Sequence, residues 1–205
     1  MGTTRRSDHA LSLNLYLIRH GQTEWSLSGQ HTGQTDLPLT PEGETQASQL
    51  TRLLAGIEFN EILISPLQRA RRTCELSGLG NNPQIEPDLV EWNYGQYEGL
   101  TSAEIEKHEP HWNLFRDGAP GGETASDISA RADRLISRLK TTTGNIALFS
   151  HGHFFCALAM RWIGLPVLSA SHLELSTSSV SILGFAAHHP ETPVISGWNA
   201  VVKNT

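Results

Sequence analysis

Between positions 13 and 18 the chain reads Leu-Asn-Leu-Tyr-Leu-Ile, an apolar run too short for a helix, closed by Arg19-His20-Gly21. A run of that length and composition marks a buried strand. Ile62-Leu63-Ile64, closed by Ser65-Pro66, and Asn145-Ile146-Ala147-Leu148-Phe149-Ser150, closed by His151-Gly152-His153, have the same form. A further short strand is expected over Gln84-Ile85-Glu86. Between these runs the period changes. Thr40-Pro41-Glu42 opens a helix with Thr as N-cap and Pro at the first helical position, and Ala47, Leu50, Leu53 and Leu54 follow at helical spacing. Residues 67–76 predict a helix with a basic face from Arg69, Arg71 and Arg72. Residues 102–108 predict a short helix, 124–139 a long amphipathic one, and 154–163 a helix stopped by Gly164 and Pro166. Residues 178–185 and 193–198 read as a closing β-ribbon, and the polar, glycine-containing stretch 23–35 as a loop over the end of the first strand.

Strands alternating with helices predict an α/β fold, a three-layer sandwich with a mostly parallel central sheet and helices on both faces. The segment 91–123, rich in Trp, Tyr, Gly and Pro, is expected to form a small helical cap over the site. Residues 1–12 have no apolar stretch and read as a flexible tail, leaving 13–205 as a single domain.

Parallel strands bring their carboxyl ends to one edge, where ligands bind in open α/β sheets. Three such ends carry chemistry here: Arg19 and His20 after the first strand, Arg69 just past the second, and His151 after a later one. An imidazole can act as a nucleophile and a guanidinium can hold an anion bidentately. Taken singly, each residue has a plainer reading: Arg69 on a solvated helix face, His151 as a turn histidine, Glu91 as an exposed carboxylate. His151 and His153 lack the spacing of a helical zinc pair, and neither a P-loop nor a dinucleotide fingerprint occurs, so no metal or cofactor is expected.

The net charge of -6 argues against nucleic acid or an anionic membrane surface as partner. An anionic ligand would therefore require positive charge gathered locally, from Arg19, His20, Arg69 and His151. No apolar run approaches a bilayer span. Cys74 and Cys156, without a CxxC pair, fit a reducing compartment, and a cytoplasmic location is expected.

The strings LYLIRHGQTEW from Leu15, TGQTDLPLTPEG from Thr32, SPLQRARRT from Ser65, EWNYGQYEGLT from Glu91 and FSHGH from Phe149 run in order along the chain. In them the chain resembles the histidine phosphatase superfamily, which includes the bisphosphoglycerate-dependent mutases. Glu24-Trp25-Ser26, Tyr94-Gly95, Trp112-Asn113 and Arg116-Asp117-Gly118 bring it nearest to the sugar-bisphosphatase branch, the sedoheptulose-1,7-bisphosphatases. The resemblance implies a metal-independent phosphatase of small sugar phosphates that forms a phosphohistidine on His20. Arg19, Arg69 and His151, the last as an imidazolium held positive by the bound dianion, would hold the phosphoryl group, and Glu91 would donate the leaving-group proton. Ser26, Thr32, Gly33 and Gly152 would contact the same oxygens, and Tyr94, Trp112 and Arg116 would line the cap around the leaving group. One departure stands out: where that branch has an arginine for the substrate's far phosphate, this chain has Cys156. A mutase, or a phosphoprotein phosphatase of the same fold, is the alternative, and a homodimer is compatible with the sequence.

Overall fold

The computed structural model describes residues 13–202; the expected N-terminal tail lies outside them. Six strands form one sheet: β1 (Asn14–Arg19), β2 (Glu61–Ile64), β3 (Gln84–Ile85), β4 (Asn145–Ser150), β5 (Val180–Ala186) and β6 (His189–Ala200). Their order is β3-β2-β4-β1-β5-β6. β1, β2, β3 and β4 are mutually parallel, while β5 runs antiparallel to β1 and to β6. The sheet is thus mostly parallel, with the ribbon at one edge.

The central strands are apolar on both pleats because helices cover both faces. Leu15, Leu17, Ile146 and Leu148 face a larger core under α6 (Ala125–Leu139) and α7 (Gly152–Trp162). Ile18, Ala147 and Phe149 face a smaller one with Leu50 and Leu54 of α2 (Pro41–Leu54). All five side chains Leu15, Leu17, Ile18, Leu148 and Phe149 are fully buried, and each such burial contributes about 1.5–3 kcal/mol. Thr40 caps α2, accepting from the Gly43 amide at 3.0 Å, and Thr124 and Asp127 form a capping box on α6. Gly21 ends β1 where the chain passes α2, and a Cβ there would stand 2.4 Å from the Gly43 carbonyl oxygen. The glycine is thus a packing requirement.

Some expected elements differ. The expected loop 23–35 contains a short helix, α1 (Glu24–Ser28), closed at its start by a Thr23–Ser26 capping box. α1 buries no residue, so no apolar period announced it. The helix expected over 67–76 is α3 (Gln68–Cys74), followed by a π-turn over Glu75–Leu79 that Gly78 breaks at φ 83°. α7 begins two residues before the expected start, at Gly152. The cap is built from two short helices, α4 (Ser102–Glu106) and α5 (Leu114–Asp117), joined by irregular chain.

Candidate active site

The ends of β1, β2 and β4 meet, and the His20 amide donates to the Ser150 carbonyl at 3.0 Å. His20 Nδ1 lies 2.7 Å from the Gly21 carbonyl. A carbonyl only accepts, so Nδ1 carries the proton and donates, and the neutral ring keeps its lone pair on Nε2. Among the described residues nothing hydrogen-bonds Nε2, and the ring lines a cavity of about 490 Å³. Burial, followed by the nearby Arg69 and Arg19 charges, holds the His20 pKa well below the usual 6.5.

Arg69 projects from α3 and is fully buried. Its guanidinium donates to the carbonyls of Thr35, Thr32 and Gly33 at 2.9, 3.1 and 3.1 Å. Its Nε donates to His151 Nδ1 at 3.1 Å, which leaves Nε2 of His151 to carry the proton and donate to Ser65 Oγ at 2.8 Å. The His151 ring stands 5.1 Å from that of His20, centroid to centroid. Burial and the neighbouring Arg69 charge keep it well below 6.5. As placed, both nitrogens of His151 are engaged within the protein and the proton sits on Nε2; the imidazolium expected from the sequence is the form facing a bound phosphate dianion. Arg19 lines the cavity; one guanidinium nitrogen donates to the Leu175 carbonyl, while its buried Nε has no partner among the described residues. The group lies against Gly152, where a Cβ would come within 3.1 Å of its Cζ. Glycine at the start of α7 therefore lets a cation sit beside a helix N-terminus, and the two positive ends add.

Glu91 enters from the other side, buried. Its carboxylate accepts from the Trp92 and Phe154 amides at 2.9 and 2.8 Å and from the His153 amide at 3.1 Å. Two of these donors belong to the first turn of α7, which fixes the carboxylate relative to His151-Gly152. Arg131 of α6 holds the loop that carries it. That guanidinium donates to the carbonyls of Asp88, Val90 and Glu91 at 2.8, 2.7 and 3.2 Å. It also grips Glu123 bidentately at 2.9 and 2.8 Å.

A second group of rings closes the cavity. Tyr94 Oη lies 2.5 Å from His153 Nδ1, and His31 packs on Tyr94 and edge-on to Trp112 at centroid separations of 4.8 and 5.4 Å. Burial brings both His31 and His153 down to a pKa of about 4, with mutual repulsion adding for His31 and the Arg19 charge for His153. Burial also raises the Tyr94 phenol well above 10.

The profile of the histidine phosphatase superfamily (branch 1) matches residues 15–200. The chain belongs to this superfamily. It is 40% identical over 175 residues to an acid phosphatase of Mycobacterium tuberculosis, covering 83% of this chain and 86% of that one. Over 191 residues it is 37% identical to sedoheptulose 1,7-bisphosphatase of Saccharomyces cerevisiae, covering 77% and 70%. Its fold superposes with a TM-score of 0.80 on a mycobacterial glucosyl-3-phosphoglycerate phosphatase solved with VO3, at 28% identity, covering 91% of this chain and 98% of that chain. The chain is a phosphatase.

Of the side chains singled out in this histidine phosphatase, Arg19, His20, Ser26, Thr32, Glu91, Tyr94 and Gly152 line the one cavity. Arg69 and His151 stand directly behind it, buried. The Ser26 hydroxyl is spent on the α1 cap, donating to the Thr23 carbonyl at 3.0 Å and accepting from the Thr23 amide at 2.8 Å. Gly33 is not brought to the cavity: its amide donates to Glu98 Oε1 at 2.8 Å, so it is not offered to a phosphoryl oxygen. Trp112 supports His31 from behind, its indole donating to the Gly118 carbonyl at 2.9 Å. Arg116 is elsewhere. It is exposed, paired with Asp117 at 2.7 Å, and lies with Trp112 on a separate surface cavity. The four-residue helix α5 aims it outward, where Asp117 and the His111 carbonyl hold it. Sequence reading missed His31, Gln30, Ser102 and Glu174, which also line the site. None sits at a strand end, so only the folding of the cap over the sheet edge brings them there.

Among the described residues no helix is long and apolar enough to cross a membrane.

Proposed function

We propose that this chain hydrolyses small sugar phosphates through a covalent phosphohistidine on His20. The observation that carries the reading is the tautomer of His20: Nδ1 is tied to the Gly21 carbonyl, so the lone pair is left on Nε2 of a residue that lines the cavity with Arg19. Phosphoryl transfer spreads charge over the equatorial oxygens, and fixed cations are its main lever. Arg19 and Arg69 stay charged throughout. Nε2 attacks phosphorus as the bond to the ester oxygen breaks, and the departing alkoxide takes a proton from Glu91 in its acid form. Water then attacks the phosphohistidine, Glu91 accepts a proton from it, the P–N bond breaks, and inorganic phosphate leaves. One water and one ester give one alcohol and one phosphate, and the enzyme is restored. His151 acts as a neutral support in this scheme, orienting Arg69 through its 3.1 Å contact. The sugar-phosphate class rests on the likeness to phosphatases named for sugar phosphates and on a cavity of a size suited to a small molecule.

The test is phosphate release from sugar phosphates, phosphoglycerates and a phosphotyrosine peptide, with chelator present and His20→Ala as control. Release from sugar phosphates that persists in chelator and disappears in His20→Ala is the expected result. Acid-labile phosphate trapped on the wild-type protein after quenching would identify the intermediate directly. Transfer between phosphoglycerates without net release would show a mutase and overturn the reading.

A further inference from the structure

The cavity has an uneven charge distribution. Its positive end consists of Arg19 and the N-terminus of α7, with Arg69 behind. Among the described residues that line it, Arg19 is the only arginine or lysine. Apart from Glu91, the acid of the proposed mechanism, the one carboxylate in the lining is Glu174, exposed at the mouth. The three lining imidazoles, His20, His31 and His153, are held neutral around pH 7, chiefly by burial. The remaining polar side chains, Ser26, Gln30, Thr32, Tyr94, Ser102 and Ser176, are uncharged, and the apolar wall includes Trp25, Leu173 and Leu175. Once one phosphoryl group occupies the cationic end, no second cation is left in the lining to receive another anion. Any further negative charge on the substrate must sit in a wall of neutral groups with Glu174 at its opening. Like charges brought together in this way lower affinity, and the opening selects by repulsion as well as by contact.

We propose that the site takes phosphate monoesters whose alcohol part is uncharged or cationic, and that Glu174 selects against a second phosphate or a carboxylate on the substrate. This rests on the phosphatase reading above and narrows it: hydroxyl-rich monophosphates fit, while bisphosphates and phosphoglycerates are disfavoured. Cys156, in the same wall, supplies no charge, because burial raises its thiol to a pKa of about 12.

The experiment compares glycerol 3-phosphate with 3-phosphoglycerate as competitive inhibitors of p-nitrophenyl phosphate hydrolysis. The two share a carbon skeleton and differ in a hydroxymethyl against a carboxylate. Glycerol 3-phosphate is expected to bind at least about tenfold more tightly at low salt, with the ratio shrinking as ionic strength rises. In Glu174→Gln the ratio should narrow several-fold, and in Glu174→Arg it should narrow further or reverse; because Glu174 is exposed, both variants are expected to fold. Equal or tighter binding of 3-phosphoglycerate by the wild type, no inhibition by either compound, or a ratio unmoved by both substitutions would overturn the inference while leaving the phosphatase reading intact. Failure of the wild type to hydrolyse p-nitrophenyl phosphate would overturn both.

Discussion

Replacing Arg131 by Lys keeps the positive charge on α6 but not the geometry that holds Glu91. The guanidinium makes five hydrogen bonds, three to the carbonyls of Asp88, Val90 and Glu91 and two to Glu123. An ammonium presents three donors from a single point and cannot span the carbonyls and the carboxylate together. The pair is largely buried, with side-chain exposures of 8% for Arg131 and 20% for Glu123. Breaking a buried pair outright costs about 3–5 kcal/mol. With the charge retained and two or so bonds lost, Arg131→Lys should cost about 2–3 kcal/mol, read as a shift in urea midpoint at constant slope. The second readout is kinetic. If the loop from Asp88 to Glu91 relaxes, Glu91, the proposed proton donor, is misplaced, and a displacement of about 1 Å can cost about 100-fold. That loss should fall on glucose 6-phosphate, whose alkoxide needs a proton, and much less on p-nitrophenyl phosphate, whose phenolate leaves without one. Equal losses on both substrates would refute the positioning argument, and a stability change below about 1 kcal/mol would refute the energetic one.

Acid should destabilise the protein through His31 and His153. Both titrate near pH 4 in the folded chain, below the usual 6.5, so between those values the unfolded chain binds more protons. Their contribution is complete above about pH 6.5 and is lost as pH falls toward 4, with an upper bound of about 3 kcal/mol for each group. In denaturant melts across that window, His31→Phe should show a shallower loss than the wild type, and an unchanged slope would count against the assignment. Arg69→Gln should lower kcat about 100- to 1000-fold. It should also raise the pKa of His20, because Arg69 is among the charges that depress it; NMR titration of the imidazole reads this, and a pKa that stays put would argue against the coupling. Gly21→Ala would place a Cβ 2.4 Å from the Gly43 carbonyl oxygen. It should cost about 1–3 kcal/mol in thermal or urea unfolding, and a neutral result would mean that α2 can shift.

Periodicity and turn chemistry made the central layers of this phosphatase legible. The apolar runs at 13–18, 62–64 and 145–150 read as buried strands from their shortness and their polar turns, and Thr40-Pro41 as a helix start, and the structure has β1, β2, β4 and α2 there. Parallel strands share a carboxyl edge, so Arg19, His20, Arg69 and His151 could be assigned to one place from their positions after strands. α1 escaped notice because it buries nothing and its capping box uses Ser26 instead of Glu or Gln. The ends of α3 and α7 depended on Gly78 and on packing around Arg19, neither of which leaves a local period. The cap was the least legible part. Whether Arg116 reaches the cavity depends on which way a four-residue helix faces, and Asp117 holds Arg116 away; Trp112, ahead of that helix, is held by the Gly118 carbonyl behind His31. His31 and Glu174 join the site only because chain segments far apart in sequence close over one sheet edge. Charge state was also decided by tertiary structure: a histidine after a strand can be cation or base. The Arg69 contact to Nδ1 makes His151 neutral, and the Gly21 carbonyl leaves the His20 lone pair on Nε2. The residues and their order came from the sequence, but the direction of each donor, which determines the chemistry, came from the packing around it.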